Sequence, residues 1–179
     1  MLLNALPSHL LDDDSRVIVV ASATPGEGAS TLAREIAVLI AGRFARTVLL
    51  IHVVDSLHAG PGLEATAHGN VPIDSVVKPD PTMPKLSTAD LCIGESRAGL
   101  LFDGDELELV FARAAKFARL VIIDAPAILS GVTAAALASK TFGVLLVVRA
   151  EKTLAPTLER ARQVIERNGG RILGAILNK

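Results

Sequence analysis

The segment Ala21-Ser22-Ala23-Thr24-Pro25-Gly26-Glu27-Gly28-Ala29-Ser30-Thr31 constrains the fold more than any other stretch of the chain, because it has the build of a phosphate-binding loop. A loop written G-x-x-x-x-G-K-[ST] follows a buried strand and opens a helix, so that backbone N–H groups and the helix N-terminus converge on phosphate oxygens. The flanks meet both conditions. Arg16-Val17-Ile18-Val19-Val20-Ala21 is an apolar, β-branched run that reads as the strand, and Leu32, Ile36, Leu39 and Ile40 recur at helical spacing behind the loop. Gly26 and Gly28 allow positive φ and close backbone approach, Pro25 stiffens the turn, and Ser30 stands where a hydroxyl reaches Mg²⁺.

Two positions depart from the pattern. Ala23 replaces the first glycine, and Ala29 stands where the loop carries its lysine. An ammonium at that place reaches the β/γ-phosphates, and losing it costs on the order of 3 kcal/mol or more of transition-state stabilisation. Pro25, Gly26, Glu27, Gly28, Ala29, Ser30 and Thr31 are therefore expected to form a cradle that holds ATP or ADP with Mg²⁺ only weakly. Chemistry there should be very slow unless another group supplies the charge.

Behind the loop the chain alternates strands and helices, which implies right-handed βαβ crossovers and a mostly parallel sheet with helices on both faces. Strands are expected at Val17–Ala21, Val48–Val53, Leu86–Leu91, Leu120–Asp124, Val144–Arg149 and Ile172–Asn178, and helices at Ser30–Gly42, Asp105–Phe117, Val132–Lys140 and Thr157–Asn168. Near-continuous apolar runs such as Val144-Leu145-Leu146-Val147-Val148 suit strands covered on both sides. Asp55 to Pro84, rich in Gly, Pro and His, reads as loop with one short helix. The organisation is an N-terminal segment over 1–15 and a single α/β domain of P-loop NTPase type over 16–179.

Composition narrows the classes of function. The 179 residues suffice for one buried core, and with five Phe and neither Trp nor Tyr that core must be built from Val, Leu, Ile and Ala. A net charge of −1 argues against a nucleic-acid partner. Cys92 is the single cysteine and reads as a buried free thiol. No apolar run approaches the roughly 18 to 20 residues of a membrane span, and Met1-Leu2-Leu3 lacks the basic start of a secretory signal, so a cytoplasmic location is expected.

Several stretches in order carry a family resemblance: Pro25-Gly26-Glu27-Gly28; Thr47-Val48-Leu49-Leu50-Ile51; Leu120-Val121-Ile122-Ile123-Asp124-Ala125-Pro126; and Gly143 to Thr153 running on to Leu173-Gly174-Ala175-Ile176-Leu177-Asn178. Gly62 to Val77 also resembles that family's variable insert. The chain resembles the cytoplasmic domain of bacterial tyrosine kinases of the polysaccharide co-polymerase system, within the deviant-Walker P-loop ATPases that include ParA and MinD. The resemblance implies Asp124 as the aspartate that holds Mg²⁺ through water together with Ser30, and Asn178 as a contact to the nucleotide base. It also implies a membrane-anchored co-polymerase partner, a place at the inner membrane through that partner, and self-association into rings or dimers.

The departures fall on the residues that would do chemistry. Where an active member has an Asp-x-Asp motif closing its second strand, this chain has His52 and Val54, with Asp55 one residue on and turned to the other face by strand alternation. His52 can accept a proton in the useful range but does not replace a carboxylate near Mg²⁺ in charge. The sequence holds no tyrosine, so it is not expected to phosphorylate itself on that residue. The expected role is a catalytically degenerate kinase-like domain that regulates or scaffolds polysaccharide assembly and export. The alternatives are an active tyrosine kinase, using Asp124 and His52 with a substitute cation, and a ParA/MinD-like positioning ATPase, which Ser22 to Pro25 disfavour by offering no early lysine.

Other side chains have plainer readings. Arg149 at a strand exit reads as a solvated charge, and Arg160, Arg162, Arg167 and Arg171 as a solvated helix face rather than a patch for DNA or an acidic partner. His52, His58 and His68 lack metal-ligand spacing. The stripe Leu2, Leu3, Leu6, Leu10 and Leu11 suits packing on the sheet edge and docking on a membrane partner equally.

Overall fold

In a computed structural model, the structure describes residues 16–54, 61–93 and 105–179. The N-terminal leucine stripe, Asp55 and His58 lie outside the described residues. Seven strands form one sheet: β1 (Arg16–Ser22), β2 (Val48–Val54), β3 (Lys78–Pro79), β4 (Leu86–Cys92), β5 (Leu120–Asp124), β6 (Gly143–Arg149) and β7 (Ile172–Asn178), in the order β3-β4-β2-β5-β1-β6-β7. Every pairing is parallel except the short β3 with β4. The helices are α1 (Ala29–Arg43), α2 (Glu106–Phe117), α3 (Thr133–Ser139) and α4 (Ala155–Arg167).

Side-chain alternation along the strands sorts the apolar residues into two layers. Ile18, Val20, Leu50, Ile122, Leu145 and Val147 point to one face, where α1 covers them with Leu32, Ile36 and Ile40. Val19, Leu49, Ile51, Val121, Ile123 and Leu146 point to the other, against residues of α2, α3 and α4. Both faces are covered, which is why β1 from Val17 and β5 from Leu120 carry no polar residue until their last positions.

The expected strands and helices are present with ends shifted by one or two residues. Between Asp55 and Pro84 the described part holds two 3₁₀ turns, Leu63–Thr66 and Ile73–Ser75, and the two-residue β3, where one short helix was expected. The first of these turns is held by a side chain within it. Glu64 is buried, and its carboxylate accepts the Gly62 N–H at 3.0 Å and the Cys92 N–H at 2.9 Å, fastening the loop to the end of β4. Cys92 itself is a buried free thiol, as expected.

Sheet order puts the functional end together. β1 lies between β5 and β6, so the chain leaves β1 for β2 on one side and β5 for β6 crosses to the other, and ligands of open α/β sheets bind where such connections diverge. Because α1 is the helix on its face, that layer should be sensitive to truncation: Ile36→Ala, at a fully buried side chain, is expected to lower unfolding free energy in urea by about 2 to 4 kcal/mol, against less than about 1 kcal/mol for Leu109→Ala on the half-exposed side of α2.

Candidate nucleotide site

The loop between β1 and α1 owes its shape to two glycines. Gly28, at φ +93°, is the residue preceding α1, and a Cβ there would run into the side-chain amide of Asn178; Gly26, at φ +79°, has the open space a left-handed turn needs. Gly28 O accepts the Leu32 N–H at 3.0 Å, starting the helix, and among the described residues no side chain caps the first turn of α1, which also carries no acidic residue. The first-turn N–H groups of a helix have no partner within it, so this end is open to an anion. Ala23, where a glycine was expected, is fully buried and its small side chain fits beneath the loop.

Glu27 holds the loop from within. Its side chain is 1% exposed, and one carboxylate oxygen accepts the N–H groups of Ala23 at 3.0 Å and Thr24 at 3.2 Å. The other accepts the hydroxyls of Thr24 at 2.9 Å and Thr153 at 2.6 Å. Thr153 Oγ1 in turn accepts the Arg149 N–H at 3.0 Å, so the segment after β6 is tied to the loop through a single carboxylate. Arg149 Nη1 donates to Gly26 O at 3.1 Å and Asn178 Nδ2 to Glu27 O at 3.0 Å. Glu27 was expected among the nucleotide-cradling residues; its contribution is to position the backbone that faces a ligand. Thr24 and Thr153 were not singled out from sequence, although hydroxyl residues beside a buried glutamate at strand exits are the available signal.

Asp124 and His52 meet on the other side of the loop. Residues Val20, Asp124, His52 and Asp90 stand at one register on β1, β5, β2 and β4, so neighbouring positions project to the α1 face. His52 Nδ1 lies 3.4 Å from Asp124 Oδ2. Asp124 Oδ1 is buried and has no hydrogen-bond partner among the described residues. These groups line a cavity of about 850 Å³ with Ser30, Thr31, Arg34 and Glu35 of α1. An orphan carboxylate oxygen sharing a cavity with a serine hydroxyl fits a hydrated Mg²⁺, so Ser30 and Asp124 are the residues that would hold one, supplying oxygen donors to a hard cation.

Arg34, Arg162 and Arg171 are each engaged by a neighbouring side chain. Arg34 Nη2 pairs with Asp80 at 3.2 Å, and Asp80's carboxyl is held below its ordinary range chiefly by the Thr82 hydroxyl. Arg162 is forked between Glu159 and Glu166 at 2.7 Å each, which pulls the Glu159 carboxyl down to about 2 and leaves this helix face without a free positive charge at that position. The Arg171 guanidinium lies over the Phe142 ring. His68 pairs with Glu106 at 3.2 Å, apart from the strand-end site. Arg149 is exposed, as expected of a strand exit, yet it also braces Gly26.

Comparison with solved structures places this arrangement. The kinase domain of the Escherichia coli tyrosine kinase ETK superposes with a TM-score of 0.79 at 23% identity, covering 96% of this chain and 70% of that one. The fold is that of a P-loop ATPase. The BceF tyrosine kinase domain matches at a TM-score of 0.74 and 27% identity, over 91% of this chain and 68% of its own, and the MinD cell division protein of Aquifex aeolicus at 0.71 and 20%, over 92% and 70%. No family model matches the sequence, and no curated protein matches it by sequence. The likeness thus places this P-loop ATPase fold beside bacterial tyrosine kinase domains and MinD.

Removing the Glu27 carboxylate strands the Ala23 and Thr24 N–H groups. Glu27→Ala should cost about 3 kcal/mol in chemical denaturation and Thr153→Val about 1.5 kcal/mol. Because both act through one network, the second change should add little in the background of the first, which a double-mutant cycle measures.

Proposed function

We propose that this chain is a catalytically degenerate tyrosine-kinase-like domain that works by contact, as a regulatory or scaffolding component of bacterial polysaccharide assembly and export. The observation that carries the reading is Ala29: the loop keeps Gly26 and Gly28, its helix and its internal brace, while a buried methyl group takes the lysine's place. His52 at the strand position of an expected carboxylate points the same way. Likeness to the ETK and BceF kinase domains supports the branch of P-loop proteins chosen. In this reading the domain docks, singly or as a homo-oligomer, on a membrane-anchored co-polymerase at the inner membrane, and ATP or ADP with Mg²⁺ binds weakly through Pro25 to Thr31 and Asn178.

Calorimetry with ATP and Mg²⁺ tests it. The native chain should bind weakly or not at all, and Ala29→Lys should tighten binding about ten- to hundredfold, the worth of a charged hydrogen bond to phosphate. Co-purification with a membrane-anchored co-polymerase tests the partner.

An active kinase is the second reading, and one observation favours it: Arg149 already brings a guanidinium to Gly26. Micromolar ATP binding by the native chain, phosphate transfer to a tyrosine substrate, and loss of both in Arg149→Ala would establish it in place of the first.

A further inference from the structure

The end of the sheet away from the phosphate loop carries a charge pattern that the nucleotide site does not use. In sheet order, β4, β2, β5, β1 and β7 are entered through Lys85, Arg46, Arg119, Arg16 and Arg171, and β6, between the last two, through Phe142. Backbone hydrogen bonds make the row continuous. Lys85 O accepts the Val48 N–H at 2.8 Å, Thr47 O the Arg119 N–H at 3.0 Å, Arg119 O the Arg16 N–H at 3.2 Å, and Arg171 O the Val144 N–H at 2.8 Å. Neighbouring strands run about 4.8 Å apart, so the cations extend over roughly 24 Å. The helices run back to the same end, where α1 closes on Arg43 and the last turn of α2 holds Lys116. Arg43, Lys85, Lys116, Arg119 and Arg171 are exposed. Partly buried phenyl rings stand among them: Phe44 follows α1, Phe117 ends α2, and the Phe142 ring lies 4.1 Å from the Arg16 guanidinium and 5.4 Å from that of Arg171, contacts that leave both charges in place. Asp80 and Glu166 also belong to this end, but each is held by its own arginine, Arg34 and Arg162. Asp12, Asp13 and Asp14 precede Arg16 in the sequence, and the chain alone keeps them within about 14 Å of it.

We propose that this end of the sheet is a docking face for an anionic phospholipid surface. Charge complementarity carries the choice: the cations are spread over a face, from the α1 layer through the strand entrances to the α2 layer, and a bilayer offers its negative charge in the same two-dimensional form. The rings between them suit the boundary of headgroup and acyl chain, where phenyl groups are at home. A single-stranded nucleic acid asks for something else, a basic groove with open ring faces on which bases stack, and the Phe142 ring is already covered by Arg16. Docked this way, the domain holds the phosphate loop and the strand exits away from the bilayer, open to other proteins. Such contact needs neither nucleotide nor a co-polymerase, so it stands whether or not the domain is catalytically degenerate.

Flotation of the full chain with protein-free vesicles tests the face. Vesicles of phosphatidylglycerol and phosphatidylcholine in equal parts should carry the chain, vesicles of phosphatidylcholine alone should not, and raising the salt should release it. Two paired variants, Arg43→Gln with Lys85→Gln and Lys116→Gln with Arg171→Gln, should each weaken binding about thirtyfold, the loss of two cations at about 1 kcal/mol apiece, with circular dichroism unchanged. Arg160→Gln, an exposed cation in the first half of α4, should leave binding as it was. Replacing Asp12, Asp13 and Asp14 together by Asn should tighten it severalfold. Absence of binding to the anionic vesicles, equal binding to the neutral ones, undiminished binding in both paired variants, or preference for duplex DNA over the anionic vesicles would overturn the assignment. Nucleotide calorimetry with Ala29→Lys and co-purification with a co-polymerase read the earlier proposal and are independent of these results.

Discussion

One buried carboxylate organises this molecule's functional end. Glu27 sits in the middle of a turn whose backbone would otherwise leave N–H groups of Ala23 and Thr24 in a water-free place, and it satisfies them with one oxygen. With the other oxygen it gathers two threonine hydroxyls, one local and one from the segment that follows β6. An unpaired buried donor costs about 1 to 3 kcal/mol, so the arrangement is strongly preferred to any in which the glutamate turns outward. Asn178 and Arg149 attach to the carbonyls of the same turn, and through them the ends of β6 and β7 are held against it.

The sheet supplies the rest. Parallel register aligns the last residue of β5 with His52 of β2, so Asp124 and His52 face each other without any loop having to bring them together. The degenerate reading proposed above turns on the charge placed on this geometry. Phosphoryl transfer rests on positioned cations and on metal held near the phosphates. Here Ala29 places a methyl group where the loop pattern has a lysine, and β2 carries the imidazole of His52 beside Asp124. The TM-scores to ETK and MinD measure the shape alone, and the proposed loss of catalysis rests on Ala29 and His52.

Much of this was legible in the sequence because the signals were strong and local. Apolar runs such as Val17 to Ala21 and Val144 to Val148 can satisfy burial on two faces only as central strands, and the Gly26 and Gly28 pair fixed the turn between strand and helix. Asp124 and Asn178 could be placed at strand ends, where the structure has them. The 3₁₀ turns and the two-residue β3 were not legible, since they depend on Glu64 reaching the Cys92 amide and on pairing with β4 across the sheet edge. The role of Thr153 was hidden for a similar reason: its partner lies 126 residues away in sequence. Arg149 was read as a solvated charge, and a strand exit alone could not reveal that a carbonyl of the turn lay within its reach. Side chains whose meaning comes from a distant partner leave no periodicity to detect.

A turn that is braced from inside does not wait for a ligand to give it form. In many nucleotide-driven switches the arriving phosphate orders a segment, and its departure lets that segment relax, so that the two conditions look different to a neighbour. The Glu27 brace works against such relaxation, because Ala23, Thr24 and Thr153 are all tied to one buried carboxylate. A neighbour resting on this end of the sheet would therefore meet nearly one surface throughout the cell's energy cycle, a property suited to a fixed fitting in a larger machine and ill suited to a timer.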